Sequence, residues 1–199
     1  MVLMKPFVYS RVLINIYINT QRCNLIRKYS AASRNHYDIA IAGGGMVGTT
    51  LACALGKNTK LCNLRILLLE ASKEKTWSLP IKYSNRVVSV NPGTYNLLND
   101  VDAWEYISSR RYATVKRLQV WDAISDASIT FGDEKSSENV SYIVENDVLL
   151  AAVNEELKKI KNVDVVYGIK VKDYHLPEID ETIVQISIED GTKYTCDLL

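Results

Sequence analysis

A chain of 199 residues, 47% hydrophobic and 24% charged, has the composition of a globular protein and suffices for the core of one domain, or of one and a half. Its net charge of +1 hides an asymmetry: residues 1–37 carry Lys5, Arg11, Arg22, Arg27, Lys28 and Arg34 and no acid, and taking those six from the 24 basic residues leaves 18 against 23 acidic ones, a balance of −5 beyond them. No basic patch with interleaved aromatics follows the head, so a nucleic-acid partner is not expected; two histidines and four unpaired-spaced cysteines show no zinc site, disulfide framework or Ser-His-Asp arrangement.

The head is predicted to be a targeting segment, a mitochondrial transit peptide over residues 1–29, because it is arginine-bearing, acid-free and rich in hydroxyl and apolar residues. Arg27-Lys28-Tyr29-Ser30 resembles the sites at which mitochondrial presequences are cut. The competing reading is a secretory signal built on the apolar stretch 12–18, but Arg22, Arg27 and Lys28 follow where such a signal turns small and neutral, and the stretch is too short to span a bilayer. A disordered basic tail is the third reading.

Residues 37–70 spell a dinucleotide-binding βαβ unit: a strand over 37–42, a glycine turn Gly43-Gly44-Gly45-Met46-Val47-Gly48, an apolar helix, and a strand over 64–69 closed by Glu70. Gly43 permits the sharp turn, Gly45 lacks the Cβ that would hold a pyrophosphate off the backbone, and Gly48 allows close packing of helix on sheet. The free N–H groups and positive end of the helix face the phosphates. Glu70 is placed to accept hydrogen bonds from adenosine ribose hydroxyls and to repel a 2′-phosphate, which disfavours NADP. Helical spacing assigns Val47, Leu51, Ala54 and Leu55 to the sheet-facing stripe, with Cys53 a small core residue.

A polar loop is expected over 71–82. A single helix starting at Asn91-Pro92 then has Leu97, Leu98, Val101, Trp104 and Ile107 on its apolar face. Residues 115–122 alternate as a strand, with 129–131 as hairpin partner. A helix begins near Asn146 with the stripe Leu149, Val153, Leu157 and Ile160, and Lys158, Lys159 and Lys161 complement its C-terminal dipole. It leads to a strand over 163–167, parallel to the second strand, and to a β-meander over 169–174, 182–188 and 193–199 with Asp190-Gly191 as a tight turn.

The succession Tyr37-Asp38-Ile39-Ala40-Ile41-Ala42-Gly43-Gly44-Gly45-Met46-Val47-Gly48, Ile66-Leu67-Leu68-Leu69-Glu70-Ala71, Tyr83-Ser84-Asn85-Arg86-Val87, Gln119-Val120-Trp121-Asp122-Ala123 and Tyr142-Ile143-Val144-Glu145-Asn146-Asp147-Val148 resembles the UbiH class of flavoprotein aromatic hydroxylases, in particular its mitochondrial ubiquinone-biosynthesis branch. The resemblance covers residues 37–199, and its last four blocks are more specific than the glycine motif. It implies an α/β fold: a Rossmann-like FAD-binding domain, a parallel sheet with a β-meander, carrying over 110–145 the strands of an inserted substrate-domain sheet. Residues 30–199 would be the N-terminal part of that domain.

The implied cofactor is FAD rather than NAD. Gly43, Gly45 and Gly48 would receive the pyrophosphate, Glu70 the ribose, and Arg86 would reach the flavin side of the cofactor. A guanidinium suits pyrophosphate oxygens, although a solvated arginine at a loop end is the plain alternative. Glu145 and Asn146 lie in a block the family places near the cofactor, with Asn146 as an ordinary N-cap the alternative; Trp121 is expected in ordinary core. The implied reaction is oxygen transfer from the flavin to a prenylated phenolic ring at the matrix side of the inner mitochondrial membrane. Implied partners are an electron-donor protein and other ubiquinone-biosynthesis proteins.

Members of the family continue after the segment matching 197–199 into a Gly-Ala-Asp-Gly strand and a Gly-Asp motif that holds the ribityl chain; this sequence contains neither. The resemblance therefore implies a fragment lacking the C-terminal half and inactive alone, with strand 37–42 left unpaired along one apolar edge and prone to aggregate. Two other functions compete: a non-catalytic dinucleotide-binding remnant, and an NAD-dependent dehydrogenase, against which the Arg86 and Trp121 blocks count.

Overall fold

The computed structural model describes residues 35–133, 135, 137–177 and 182–199. The predicted transit peptide and its cleavage site lie outside the described residues.

Strand β1 (His36–Ala42) runs through the glycine turn into helix α1 (Met46–Lys57) and on to β2 (Ile66–Glu70), which pairs parallel to β1 with Ile39 opposite Ile66 and Ala42 opposite Leu69. Ile66, Leu67, Leu68 and Leu69 are all buried, as a continuous apolar run requires when both faces of a parallel strand are covered. Strand β3 (Val87–Val90), helix α2 (Pro92–Asp100) and helix α3 (Trp104–Ser108) follow. Next come β4 (Ala113–Val115), β5 (Arg117–Trp121), β6 (Ser128–Gly132) and β7 (Ser141–Glu145). Helix α4 (Asn146–Leu157) leads to β8 (Val163–Tyr167), β9 (Val171–His175), β10 (Val184–Ile188) and β11 (Lys193–Leu198).

The strands form a six-stranded sheet ordered β8-β2-β1-β11-β10-β9, a three-stranded sheet β3-β7-β4 and the hairpin β5-β6. Strand β8 pairs parallel to β2, and β9, β10 and β11 form the antiparallel meander, both as the sequence predicts. The apolar edge expected along β1 is absent: β11 lies against it, so β1 is an interior strand and the edges are β8 and β9. The meander returns its last strand to the middle of the sheet and buries Cys196 there.

Period-two alternation sends the strand residues to two cores. Ile39, Ile41, Ile66 and Leu68 pack with α1, α4, the α2–α3 segment and the small sheet, whereas Ala40, Leu67 and Leu69 pack with Val184, Ile186 and Cys196. In α1 the buried face is Thr49, Ala52 and Cys53, with Ala54 and Leu55 only partly buried. Val47 is 83% exposed and Leu51 is also exposed, so the predicted stripe is displaced around the helix. Small residues take the buried face where the helix closes on the sheet and on α4: the Cys53 thiol donates to the Val153 carbonyl at 3.3 Å.

The helix predicted to run unbroken past residue 100 stops at Val101. Asp102 adopts φ 62°, and α3 starts after Ala103. A local cap closes the helix, the Asp102 N–H donating to the Asn99 carbonyl and the Ala103 N–H to the Leu98 carbonyl, both at 2.8 Å. The Lys57 ammonium then donates to the Val101 carbonyl (2.6 Å), Asp102 Oδ2 (2.7 Å) and Glu156 Oε2 (2.8 Å), joining α1, the α2–α3 corner and α4. Leu98, Val101, Trp104 and Ile107 are buried as expected, while Leu97 is exposed. Lys158 and Lys159 lie past the end of α4 and are paired with Glu155 and Glu156, at 2.8 and 2.6 Å, rather than with its terminal carbonyls. The hairpin β5-β6 exists as predicted, with Leu118 opposite Phe131 and Val120 opposite Ile129, but Trp121 is 71% exposed and belongs to no core.

Candidate functional site

The glycine turn is fixed by close approaches that only glycine allows. Gly43 has φ 109°, and a Cβ on Gly48 would overlap the Gly43 carbonyl oxygen and press on Ile41 Cγ2 at 3.3 Å. Gly48 thus lets the turn fold back over the first helical turn, a tighter constraint than helix-on-sheet packing alone. A Cβ on Gly45, the N-cap of α1, would meet nothing within 4 Å. That open space lies at a helix N-terminus whose first internal bond runs from Thr49 N–H to Gly45 O at 3.0 Å. The N–H groups of Met46, Val47 and Gly48 therefore have no intrahelical acceptor. No acid stands in that turn. The arrangement is suited to an anion that approaches the backbone at Gly45.

Glu70 ends β2 beside this turn. Its Oε2 accepts the Gly44 N–H at 2.6 Å and its Oε1 the Ser72 N–H at 2.7 Å. Partial burial works to raise its pKa, but the Ser72 and Gly44 donors, with Lys75 nearby, outweigh it and hold the carboxyl below the usual glutamate range. Each oxygen keeps a lone pair for a further donor such as a ribose hydroxyl. Sequence reasoning missed Gly44: a Cβ there would lie 2.8 Å from Glu70 Cβ, so the middle glycine of the run is what admits the carboxylate. The signal was one glycine more than the motif needs. Thr49, fully buried, completes the turn by donating its hydroxyl to the Gly44 carbonyl at 2.9 Å.

The structure thus brings Gly43, Gly45, Gly48 and Glu70 together, and it places Arg86 just before β3 of the small sheet. Its guanidinium is exposed, and no hydrogen bond or ion pair to it is formed among the described residues. Its backbone is held: Arg86 N–H donates to Ser84 Oγ (3.2 Å), and its carbonyl accepts the Asn146 N–H (3.0 Å). Asn146 is not the N-cap of α4. Glu145 holds that position, its carboxylate bonded to Arg111 and the Ser84 N–H instead of capping the helix. Among the described residues no cluster of metal-ligating side chains occurs and no helix is long and apolar enough to cross a membrane.

A βαβ unit with a glycine-cradled helix N-terminus, an acid closing the second strand and an antiparallel meander in the same sheet defines a dinucleotide-binding α/β fold of the flavoprotein type. Solved structures share it. The fold is similar to the probable FAD-dependent monooxygenase pqsL from Pseudomonas aeruginosa (TM-score 0.58, 16% identity, covering 82% of this chain and 41% of that one). It is also similar to p-nitrophenol 4-monooxygenase PnpA from Pseudomonas putida (TM-score 0.58, 17% identity, 82% and 40%) and to the flavin-dependent monooxygenase PieE, solved with FAD and substrate (TM-score 0.57, 17% identity, 84% and 30%).

Sequence relatives narrow the class. The mitochondrial ubiquinone biosynthesis monooxygenase COQ6 of Drosophila melanogaster is 39% identical over 171 residues (85% of this chain, 36% of that protein). Those of Danio rerio and Homo sapiens are 43% and 40% identical over 178 and 181 residues (85% and 37%; 87% and 38%). Over most of its length the chain is thus similar to COQ6 ubiquinone biosynthesis monooxygenases, and it spans well under half the length of these relatives. No protein-family model matches it.

Proposed function

We propose that this chain is the adenosine-diphosphate-holding part of an FAD-dependent aromatic hydroxylase of ubiquinone biosynthesis. The observation that carries the reading is the open backbone at Gly45, next to a carboxylate already oriented by Gly44 and Ser72, in a chain about 40% identical to COQ6 monooxygenases. Gly43, Gly45 and Gly48 would admit the pyrophosphate to the N–H groups of α1, Glu70 would accept the ribose hydroxyls, and Arg86 would pair with an anionic or polar edge nearer the flavin. When bound, the flavin would supply activation of O₂ and oxygen transfer to an electron-rich ring. The residues of this chain hold and orient the cofactor; none is assigned as a nucleophile.

The substrate in this reading is a prenylated phenol, and the location is the matrix side of the inner mitochondrial membrane. The relatives' mitochondrial label and the acid-free basic head support the compartment. An electron-donor protein and other ubiquinone-biosynthesis proteins would be the partners.

The test is ligand choice. Titrated into the 199-residue chain, FAD and ADP should bind, FAD with quenching of its fluorescence, whereas adenosine diphosphate carrying a 2′-phosphate should bind at least about tenfold more weakly, because Glu70 is ionised at neutral pH. Preference for the 2′-phosphate ligand, or no binding of FAD, would refute the assignment.

A further inference from the structure

The stretch 71–86 contains neither helix nor strand, yet its last part is pinned by one ion pair. Strand β7 pairs Glu145 with Val87 of β3, and Ile143 with Ala113 of β4. Continuing both antiparallel registers by one step puts Arg86 beside Asn146, and by two puts Arg111 beside Glu145. Arg111 grips the Glu145 carboxylate with two nitrogens, Nε at 2.5 Å and Nη2 at 3.2 Å. Its remaining donors reach the Ile81 carbonyl (3.4 Å) and the Lys82 carbonyl (3.2 Å), and its guanidinium lies 4.3 Å from the centre of the Tyr83 ring. Glu145 Oε2 takes the Ser84 N–H at 2.6 Å. Four successive residues, 81–84, are thereby tied to one pair, and the Ser84 hydroxyl passes the constraint to the Arg86 N–H.

Side-chain exposures of 16% for Arg111 and 7% for Glu145 mean that both charges are largely desolvated, at a cost an apolar pair would avoid. An apolar pair could close the sheet as well. It could not fix the path of a strandless backbone through two carbonyls and an amide. Beyond those bonds Ile81 and Tyr83 are exposed, so the loop has little core of its own.

We propose that Arg111 and Glu145 are positioning residues that set the 81–84 backbone, so that the Arg86 backbone is already ordered when its guanidinium meets the anionic part of the cofactor. The proposal rests on the FAD reading above. Pre-ordering lowers the entropy lost on binding, so its signature is coupling to Arg86 and not a loss of its own.

FAD titrations of the wild-type chain, Arg86→Ala, Glu145→Gln and the double variant test it. Arg86→Ala should weaken FAD about tenfold or more, as loss of a charged hydrogen bond does. Glu145→Gln should weaken it about five- to tenfold in the wild-type background and less than about twofold beside Arg86→Ala. Equal losses in both backgrounds would show a merely structural role and overturn the proposal. Should Glu145→Gln fail to fold, Arg111→Lys, which keeps the charge but not the fork, should give the same non-additivity. Hydrogen exchange without ligand is the second readout: Glu145→Gln should lose protection at the Ser84 amide while Val144 and Leu149 stay protected. An unchanged Ser84 amide in a chain that binds FAD would refute the clamp alone, whereas a wild-type chain that does not bind FAD would refute the cofactor reading beneath it.

Discussion

Gly45 and Gly48 are the same residue type in one turn, doing opposite work. A Cβ at Gly48 would overlap the Gly43 carbonyl, while one at Gly45 would face open space, so substitution should separate stability from binding. Gly48→Ala should lower the unfolding free energy by about 1–3 kcal/mol, the usual cost of overpacking, read from the urea midpoint. Gly45→Val should leave stability within about 1 kcal/mol and abolish FAD binding, because its side chain would fill the approach to the helix N-terminus. Full FAD binding by Gly45→Val would refute the pyrophosphate assignment. Glu70→Gln carries a different expectation: two backbone N–H groups need acceptors there, and an amide offers one oxygen and one donor. It should cost about 1–3 kcal/mol of stability as well as weakening the ligand, so its effect on binding is to be measured against its own urea midpoint.

The α1–α2–α4 joint is tied by Lys57, whose ammonium bonds the α2–α3 corner and α4 beside the buried apolar contacts of these helices. Lys57→Met leaves Glu156, 6% exposed, with only the exposed Lys159 as cation, and should cost about 3 kcal/mol, the lower end for a broken buried pair. Lys57→Met with Glu156→Leu should recover part of that loss in urea denaturation; a double variant as unstable as the sum of both singles would show that the pair does not act as a unit. The same joint shows where the sequence was legible. The βαβ unit, the parallel β8, the hairpin and the meander follow from local periodicity and turn residues, and all were predicted. The break at Asp102 was not read, because the apolar stripe runs on past it and the left-handed cap has an aspartate where glycine is the usual signal. Nor could the sequence show that an ammonium 45 residues earlier bonds its carboxylate. The stripe of α1 was misplaced for a related reason: close packing selects small residues, so Thr49 and Ala52 are buried while the apolar Val47 and Leu51 look outward. Likewise the motif located Glu70, but not the dependence of its carboxylate on Gly44, nor the Arg111–Glu145 pair, whose members meet only through strand register.

Three glutamates hold three parts of the molecule together: Glu70 ties β2 to the glycine turn, Glu145 ties β7 to the 81–84 loop, and Glu156 ties α4 to α1. For each, burial acts to raise the pKa and is outweighed by bound donors: Ser72 and Gly44, then Ser84 and Arg111, then Lys159 and Lys57. All three are therefore lower in the folded chain than in the unfolded one. A carboxyl shifted down binds protons more readily when unfolded, so its contribution is complete above the ordinary glutamate value of about 4.3 and fades as pH falls through the lower folded values. Lys57 shifts the other way: burial lowers its pKa, but Asp102 and Glu156 outweigh that and raise it, so its contribution is complete throughout this range and lost only at alkaline pH. The molecule as a whole should then show a urea midpoint nearly flat from pH 7 to about pH 5 and falling steeply below about pH 4.3. Glu145→Gln and Glu156→Gln should each start from a lower midpoint and show a shallower acid limb, since each removes one of the groups that must be protonated. A midpoint that rises toward acid, or variants whose acid limb is as steep as that of the wild-type chain, would show that these carboxylates are not what binds the joints.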